Sequence, residues 1–206
     1  MSDSRERDHI FIRMIRKPLL SEYHSVRHPI ICFSLDHVLT PKECTEWIAE
    51  SEKIGFVPAT IHSEVLSRKE RFFDQCYMDH DTDKLTLLWN RIQDYLIDSE
   101  YGKPIGLNPR LRFLRYYPGN YFKPHYDAIC TNIEGQESRL TLQLYLNDNF
   151  EGGETVFIGD HAKWKVPYQP KQGSVLVFNQ ELLHEGAFVR KGIKYSVRMD
   201  IMFSKE

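Results

Sequence analysis

Two segments in the second half of the chain alternate apolar and polar residues with a period of two, at 140–147 and 193–203. Such alternation predicts β-strands, because successive side chains of a strand point to opposite faces. The apolar faces consist of Leu140, Leu142, Leu144 and Leu146, and of Ile193, Tyr195, Val197, Met199, Ile201 and Phe203. The opposite faces consist of Thr141, Gln143, Tyr145 and Asn147, and of Lys194, Ser196, Arg198 and Asp200. These polar faces either meet solvent or line a cleft.

Helix signals lie in the first half of the chain. Thr40 and Glu43 form a capping box, and Gly55 is a suitable helix end. Apolar residues at helical spacing predict a second helix at about 82–99, and the polar segment 60–80 is predicted to be a loop or a loose hairpin. Early helices and late strands favour a mainly β protein with helices packed outside a sandwich or open barrel. The apolar strand faces would then meet the helices, and the polar faces would point inward.

Length and composition limit the class of protein. A chain of 206 residues fits a single domain, in which we expect 1–109 to be mostly helical support and 110–203 to form the core. A net charge of -2 argues against nucleic-acid or anionic-membrane binding. We find no apolar run long enough for a transmembrane helix and no secretory signal, so a cytoplasmic location is expected. The cysteines show no metal or disulfide spacing, which favours reduced thiols.

Three side chains predict a metal site. His125 and Asp127 are two residues apart, which would place both side chains on one face of a strand, and His184 follows another predicted strand. Two imidazoles and one carboxylate suit Fe(II) and leave positions open for a co-substrate and dioxygen. Lys194 lies on the polar face of the last strand, where it would anchor the distant carboxylate of a diacid that chelates the metal, unless it is an ordinary exposed lysine.

The segments around these residues resemble prolyl-4-hydroxylase-like Fe(II)/2-oxoglutarate-dependent oxygenases. The resemblance is carried by residues 115–127, 144–147, 150–157, 173–178, 184–186 and 192–198, in the same order and with the same spacing as in that family. It covers roughly residues 110–203, whereas the earlier helices match only in general layout.

The resemblance implies a double-stranded β-helix, or jelly-roll, core. It implies Fe(II) on His125, Asp127 and His184, 2-oxoglutarate and O2 as co-substrates, and ascorbate as a further cofactor. It also implies that Lys194 pairs with the distal carboxylate of 2-oxoglutarate.

Further residues are candidates for the co-substrate pocket. In the family a tyrosine of the first metal-binding segment contacts the co-substrate or lines its pocket. Tyr116 fits this position best, and Tyr117 is the alternative. Tyr145 is a second candidate for the pocket, unless it is only a packed aromatic residue. Arg198 is unusual, because relatives carry a smaller residue at this position. Arg198 would replace Lys194 as the anchor, bind an acidic substrate, or only pair with Asp200 or another carboxylate.

The implied activity is hydroxylation of a C–H bond, with a prolyl residue of a peptide or protein as the expected substrate. Alternatives are a free amino acid or other small molecule, an iron enzyme that does not use 2-oxoglutarate, and a non-catalytic jelly-roll binding protein. The rim of the cleft is expected from 60–80, 135–137 and 164–168. Arg68, Lys69 and Arg71 would there meet acidic groups or form a solvated charged loop.

Overall fold

The computed structural model describes residues 12–14, 30–59, 70–96, 98–99, 101–159 and 163–204. Two α-helices and one 3-10 helix accompany the strands in these ranges. The helices are α1 (Pro41–Ile54), α2 (Thr82–Ile92) and the 3-10 helix Gln93–Tyr95. The first strands are β1 (Ile12–Met14), β2 (Cys32–Leu35), β3 (Val57–Pro58), β4 (Arg71–Phe72), β5 (Asp74–Asp79), β6 (Pro104–Leu107), β7 (Arg110–Tyr116) and β8 (Tyr121–His125). The later strands are β9 (Glu137–Tyr145), β10 (Glu151–Gly152), β11 (Thr155–Gly159), β12 (Trp164–Tyr168), β13 (Val175–Asn179), β14 (His184–Gly186), β15 (Val189–Lys191) and β16 (Lys194–Phe203).

The strands form two facing sheets. Within the described residues the larger sheet runs in the order β1-β2-β13-β9-β16-β7-β5-β3, with β6 also paired to β16. The smaller sheet runs in the order β12-β11-β14-β8-β4, and β10 pairs separately with β15. All the strand pairs are antiparallel, and most neighbours are distant in sequence. This arrangement confirms the predicted mainly β protein with a jelly-roll core.

The helices cover the outer face of the larger sheet. Trp47 of α1 and Leu88 of α2 belong to one buried cluster with Leu142 of β9 and Val197 of β16. These strand residues lie on the predicted apolar faces, so the expected orientation is confirmed. The polar faces of β9 and β16 therefore point towards the smaller sheet, where charged groups can be enclosed only if they are paired or bind a ligand.

Helix α1 begins and ends as predicted. The Thr40 hydroxyl accepts a hydrogen bond from the Glu43 backbone N–H, and the Glu43 carboxylate accepts one from the Thr40 N–H. Gly55 follows the helix with φ 88°. Helix α2 is shorter than predicted, because a 3-10 turn follows Ile92 and the chain is extended at Leu96. Leu96 nevertheless packs against the core, which explains why its spacing resembled a continuing helix.

The prediction of a loop or a loose hairpin at 60–80 is wrong for the part that the structure describes, because its two strands pair with β8 and β7 and not with each other. Residues 70–80 contain β4 and β5, and β5 pairs with β7 from Asp74 to Asp79. Its polar residues have charged partners, since Asp74 pairs with Arg115 and Asp79 with Arg110, both at 3.0 Å. Residues 60–69 lie outside the described part, including Arg68 and Lys69.

Two further features concern the cysteines and the length of the helices. Cys32, Cys44, Cys76 and Cys130 are free thiols, as predicted, and the first three are buried. Within the described ranges, neither helix combines the length and the apolar character that crossing a bilayer requires.

Candidate metal centre and active site

The three predicted metal ligands meet at one edge of the smaller sheet. His125 is the last residue of β8, and His184, the first residue of β14, lies directly opposite it in the antiparallel register. Asp127 lies just beyond β8 rather than on it, because the chain leaves the sheet there and the Asp127 N–H binds the Gln180 carbonyl. The prediction that His125 and Asp127 share a strand is therefore wrong in detail, although the two side chains converge.

The ligand atoms of the triad lie close together. Nε2 of His125 is 3.8 Å from Oδ1 of Asp127, and Nε2 of His184 is 3.7 Å from Oδ2. All three ligand atoms lie within 4.8 Å of one another. Ligands about 2.1 Å from a metal at right angles lie about 3 Å apart, so small side-chain adjustments suffice for coordination. Among the described residues, no other group of three potential ligands converges in this way.

Backbone carbonyls fix the tautomers of both histidines. Nδ1 of His125 lies 2.8 Å from the Lys123 carbonyl oxygen, and Nδ1 of His184 lies 2.8 Å from that of Leu182. A carbonyl oxygen only accepts, so each Nδ1 carries the hydrogen and each Nε2 presents its lone pair to the site. The Phe122 ring stacks on His125 with ring centroids 3.5 Å apart, which holds the imidazole in its plane.

The charge states also suit a cation. Burial, together with the neighbouring His184, lowers the pKa of His125 to about 4, so its imidazole is neutral at physiological pH. Burial alone would raise the pKa of Asp127, but Arg198 and both histidines hold it well below its ordinary value. Two imidazoles and one carboxylate on one side of a cavity form the donor set of non-haem Fe(II) sites, so the residues fit that metal.

Polar groups around Asp127 orient its carboxylate. The Thr141 hydroxyl donates to Oδ2, and Nε of Arg198 donates to Oδ1 over 3.1 Å. Arg198 also binds Oδ1 of Asp200 over 3.0 Å, and Gln180 donates to the same Asp200 oxygen over 2.9 Å. Arg198 therefore pairs with Asp200 and with another carboxylate, that of Asp127, which is one of the roles expected for it.

Lys194 is buried at the start of β16. Its Nζ donates to the Gly153 carbonyl over 2.7 Å and lies 5.2 Å from the Tyr116 ring centroid and 5.4 Å from that of Tyr145. No carboxylate of a described residue lies within ion-pair distance of it. Burial lowers the pKa of Lys194 to about 7, an effect that Glu154 only partly opposes. A buried ammonium without a counter-ion is suited to receive an anionic ligand.

The tyrosine candidates differ in their surroundings. Tyr116 is buried, stacks on Phe73 at 4.7 Å and lines the cavity that holds the triad, whereas Tyr117 is 39% exposed and lies outside it. Tyr145 is fully buried, and its hydroxyl forms a 2.7 Å hydrogen bond with Thr155, which does line the cavity. Tyr116 is thus better placed than Tyr117 to contact a ligand in the cavity. Tyr145 lies behind Thr155 and does not line the cavity.

One small cavity, with about 40 Å³ of space for water-sized molecules, connects the triad with Lys194. Its other lining residues are Phe73, Arg112, Leu114, Tyr116, Phe122, Gln143, Thr155, Phe178, Glu185, Gly186 and Arg198. The predicted rim segments 135–137 and 164–168 contribute none of these lining residues. Sequence reasoning missed Arg112, which lies on the inward face of β7, and the role of Thr141. Alternation placed Thr141 on the correct face but did not show that it reaches Asp127.

Comparison with known proteins agrees with this geometry. Residues 111–200 match the model of the 2OG-Fe(II) oxygenase superfamily. The Arabidopsis thaliana protein named "Probable prolyl 4-hydroxylase 3" is 26% identical over 197 residues, which cover 80% of this chain and 66% of that protein. "Prolyl 4-hydroxylase 1" of the same plant is 27% identical over 107 residues, covering 42% of this chain and 38% of that protein. The chain spans 34% to 66% of the length of the curated relatives that it matches.

Solved structures show the same fold. A viral collagen prolyl hydroxylase from Paramecium bursaria Chlorella virus-1, in complex with 2-oxoglutarate, has a TM-score of 0.61 at 23% identity, covering 84% of this chain and 96% of that chain. A prolyl-4-hydroxylase of Pseudomonas putida has a TM-score of 0.63 at 16% identity, covering 85% of this chain and 93% of that chain.

The segment that matches the 2OG-Fe(II) oxygenase superfamily contains all three residues of the converging triad. The sequence relatives reported above carry the name prolyl 4-hydroxylase, so this chain is similar to proteins of that type.

Proposed function

We propose that this chain is an Fe(II)- and 2-oxoglutarate-dependent dioxygenase that hydroxylates a prolyl residue in a peptide or protein. The observation that carries the proposal is the presence, in one cavity, of the triad and a buried lysine without a carboxylate partner. His125, Asp127 and His184 would hold Fe(II), and Lys194 would bind the distal carboxylate of 2-oxoglutarate. We propose a single functional unit, in which residues 1–109 support the site in 110–203.

The residues that line the metal cavity would have different roles in the reaction. Fe(II) and 2-oxoglutarate supply the chemistry, in which one atom of dioxygen enters the substrate as hydroxyl and the other enters succinate, formed with carbon dioxide. Lys194 would bind the distal carboxylate of the co-substrate with its ammonium group, and Tyr116 lines the same cavity. Phe73, Phe122 and Phe178 exclude water from the cavity. The Nε2 atoms of the histidines and the oriented Asp127 carboxylate would hold the metal from one side of the cavity.

A peptide is the substrate class that the relatives favour. One solved structural neighbour, from Trichoplax adhaerens, is a prolyl hydroxylase in complex with a peptide fragment of a hypoxia-inducible factor, and it has a TM-score of 0.63 to this chain. The name of the viral neighbour also specifies a protein substrate, collagen. We include ascorbate as a reductant that would keep the metal ferrous between turnovers.

Anaerobic spectroscopy tests the proposal without a known substrate. Fe(II) added together with 2-oxoglutarate should give a weak visible metal-to-ligand absorption band. His125→Ala and Asp127→Ala should abolish it, and persistence of the band in both variants would exclude the assigned triad. Lys194→Met should require a much higher concentration of 2-oxoglutarate for the same band.

Turnover separates the enzyme from a binding protein of the same fold. Proline-containing peptides incubated with Fe(II), 2-oxoglutarate, ascorbate and air should gain one oxygen atom by mass spectrometry, with formation of an equal amount of succinate. Free proline in place of peptide is the control for small-molecule hydroxylation. Band formation without succinate from any substrate would favour a non-catalytic role.

A further inference from the structure

A second cleft adjoins the metal cavity on the far side of Asp127. It opens to solvent and offers about 510 Å³ of space to water-sized molecules. Its lining residues are Tyr77, Asp79, His80, Asn108, Pro109, Arg110, Arg112, Ala128, Ile129, Cys130, Arg198 and Asp200. Arg112 and Arg198 line both the cleft and the metal cavity, so they form the wall between the two. A molecule in the cleft therefore lies next to the metal ligands.

The charges in the cleft are paired, with one exception. Arg110 pairs with Asp79 at 3.0 Å, and Arg198 pairs with both Asp127 and Asp200. Arg112 has no such partner, because no carboxylate of a described residue lies within 4.0 Å of its guanidinium. Its described hydrogen bonds run from Nε and Nη2 to the neutral side-chain oxygen of Gln75. Arg112 is thus the cation whose charge no side chain of the cleft balances by contact.

The position of Arg112 adds to this excess of positive charge. In the register of β7 and β16, Arg112 lies directly opposite Arg198. Like charges opposed across two strands are unfavourable, and burial penalises the charged form of Arg112 further. Binding of a divalent cation at Asp127 would add more positive charge nearby. An anion in the cleft would relieve all three effects.

The 2-oxoglutarate anchor lies elsewhere along the same strands. Lys194 faces Tyr116 in the register, whereas Arg198 faces Arg112. Lys194 and Arg198 are four positions apart on β16, which corresponds to about 13 Å between their Cα atoms. The inward faces of β7 and β16 therefore carry positive charge at two separate places, at Lys194 and at the pair Arg112 and Arg198. Lys194 serves one carboxylate, and Arg112 is placed for a different one.

We propose that Arg112 binds a carboxylate of the substrate, so that the preferred substrate is an acidic peptide. This inference rests on the proposed oxygenase function and specifies its substrate class. Guanidinium and carboxylate form strong charge-assisted hydrogen bonds, and Nη1 of Arg112 makes no hydrogen bond to a described residue. The carboxylate comes either from a Glu or Asp side chain beside the target residue or from the carboxyl terminus of the peptide.

Binding without turnover tests this directly. The anaerobic Fe(II)–2-oxoglutarate protein is titrated calorimetrically with blocked hexapeptides that place Glu directly before or directly after one proline. Their Gln counterparts complete the set, together with a peptide without acidic side chains that is tested with a free and with an amidated carboxyl terminus. We expect at least one carboxylate-bearing peptide to bind about tenfold more tightly than its neutral counterpart. The member that shows this preference identifies the source of the carboxylate.

Two arginine variants assign the effect to one guanidinium. Arg112→Gln should reduce the preference to about twofold or less. Arg110→Gln removes the same charge from the same cleft, but from a group already paired with Asp79, and should keep the wild-type preference. If Arg112→Gln does not fold, Arg112→Lys serves instead and should show a clearly smaller preference than wild type.

The outcomes separate this inference from the proposed function. Formation of the Fe(II)–2-oxoglutarate band without any carboxylate preference in wild type would overturn the acidic-peptide inference alone. A preference that survives unchanged in Arg112→Gln or Arg112→Lys would overturn the assignment to Arg112. Absence of the band in wild type would instead contradict the proposed function.

Discussion

Arg198 donates through Nε to Oδ1 of Asp127 over 3.1 Å while its Nη2 lies 3.0 Å from Oδ1 of Asp200. One guanidinium thus balances two carboxylates that are almost fully enclosed, one of which belongs to the metal triad. Burial would lower the pKa of Arg198, but the two aspartates raise it. The metal-free protein therefore already contains an internal cation beside the position where the metal would bind.

Replacement of Arg198 by Met should destabilise the metal-free protein by about 3 kcal/mol, because two buried carboxylates lose their counter-ion. A divalent cation should recover part of this loss, since it neutralises Asp127. We therefore expect Mn(II) to raise the melting temperature of the variant by more than that of wild type. Equal shifts in the two proteins would mean that Arg198 and the metal do not share Asp127.

The matched control for this experiment is Arg110→Met. Arg110 also pairs with an aspartate, but its side chain is 64% exposed and its partner Asp79 is 44% exposed. Exposed ion pairs contribute at most about 1 kcal/mol. Its melting temperature and its response to Mn(II) should stay close to those of wild type.

Thr141 should affect metal affinity through the orientation of Asp127. Val has nearly the same shape but cannot donate to Oδ2, so Thr141→Val should weaken Mn(II) or Co(II) binding by about tenfold or more. Thr141→Ser keeps the hydroxyl and should bind like wild type. Calorimetric titration with the metal measures both. Equal affinities for Ser and Val variants would show that the hydroxyl has no role in holding the carboxylate.

The pKa of Lys194 predicts a pH dependence of 2-oxoglutarate binding. With a pKa of about 7 the free lysine loses its charge above neutral pH, while a bound carboxylate would favour the charged form. Affinity should be constant below pH 7 and fall by up to about tenfold per pH unit above it. Titrations between about pH 6 and pH 9 measure this slope, which Lys194→Met should lack. A flat profile in wild type would remove Lys194 from this role.

The same shift has a consequence for stability. In the unfolded chain the lysine pKa is near its ordinary value of 10.5, so between about 7 and 10.5 the unfolded state binds more protons than the folded state. The contribution of Lys194 to the stability of the unliganded protein should therefore rise with pH across that window. Lys194→Met should abolish this rise in denaturant titrations.

Gly153 should be needed for the position of Lys194. A Cβ at Gly153 would lie 3.2 Å from Cδ of Lys194 and 3.0 Å from the Phe150 ring, and the backbone has φ +67°. Gly153→Ala should weaken 2-oxoglutarate binding by about tenfold. Gly119→Ala is the control, because Gly119 also has a positive φ, +85°, but open space around its Cβ position. Both variants should lose about 1–2 kcal/mol of stability, and only the first should lose affinity.

The sequence predicted the parts of the fold that depend on periodicity. Alternation in β9 and β16 identified both strands and their inward faces, and Lys194 and Arg198 were placed on the correct side by the same argument. Helix α1 was predicted because its capping is local, between residues three positions apart. Local rules suffice when the partners of a residue are its sequence neighbours.

Pairing between distant residues was not predictable in the same way. The strand β5 looks like a loop because its aspartates are matched by arginines of β7, more than thirty residues later. The charge of Arg112 is unbalanced because the carboxylates of the cleft pair with Arg110 and Arg198 instead. A single sequence does not show which cation each carboxylate pairs with. The contact of Thr141 with Asp127 depends on the path of the chain after β8, which a single sequence does not reveal.

Strand β16 contributes Lys194 at its start and Arg198 four residues later, both on the inward face. Their separation is set by covalent backbone, and an insertion of one residue between them would turn every later side chain to the opposite face. The substrate preference of a protein with this strand arrangement can therefore change in two ways. Side chains can be exchanged at fixed positions, or the loops at the strand ends can change.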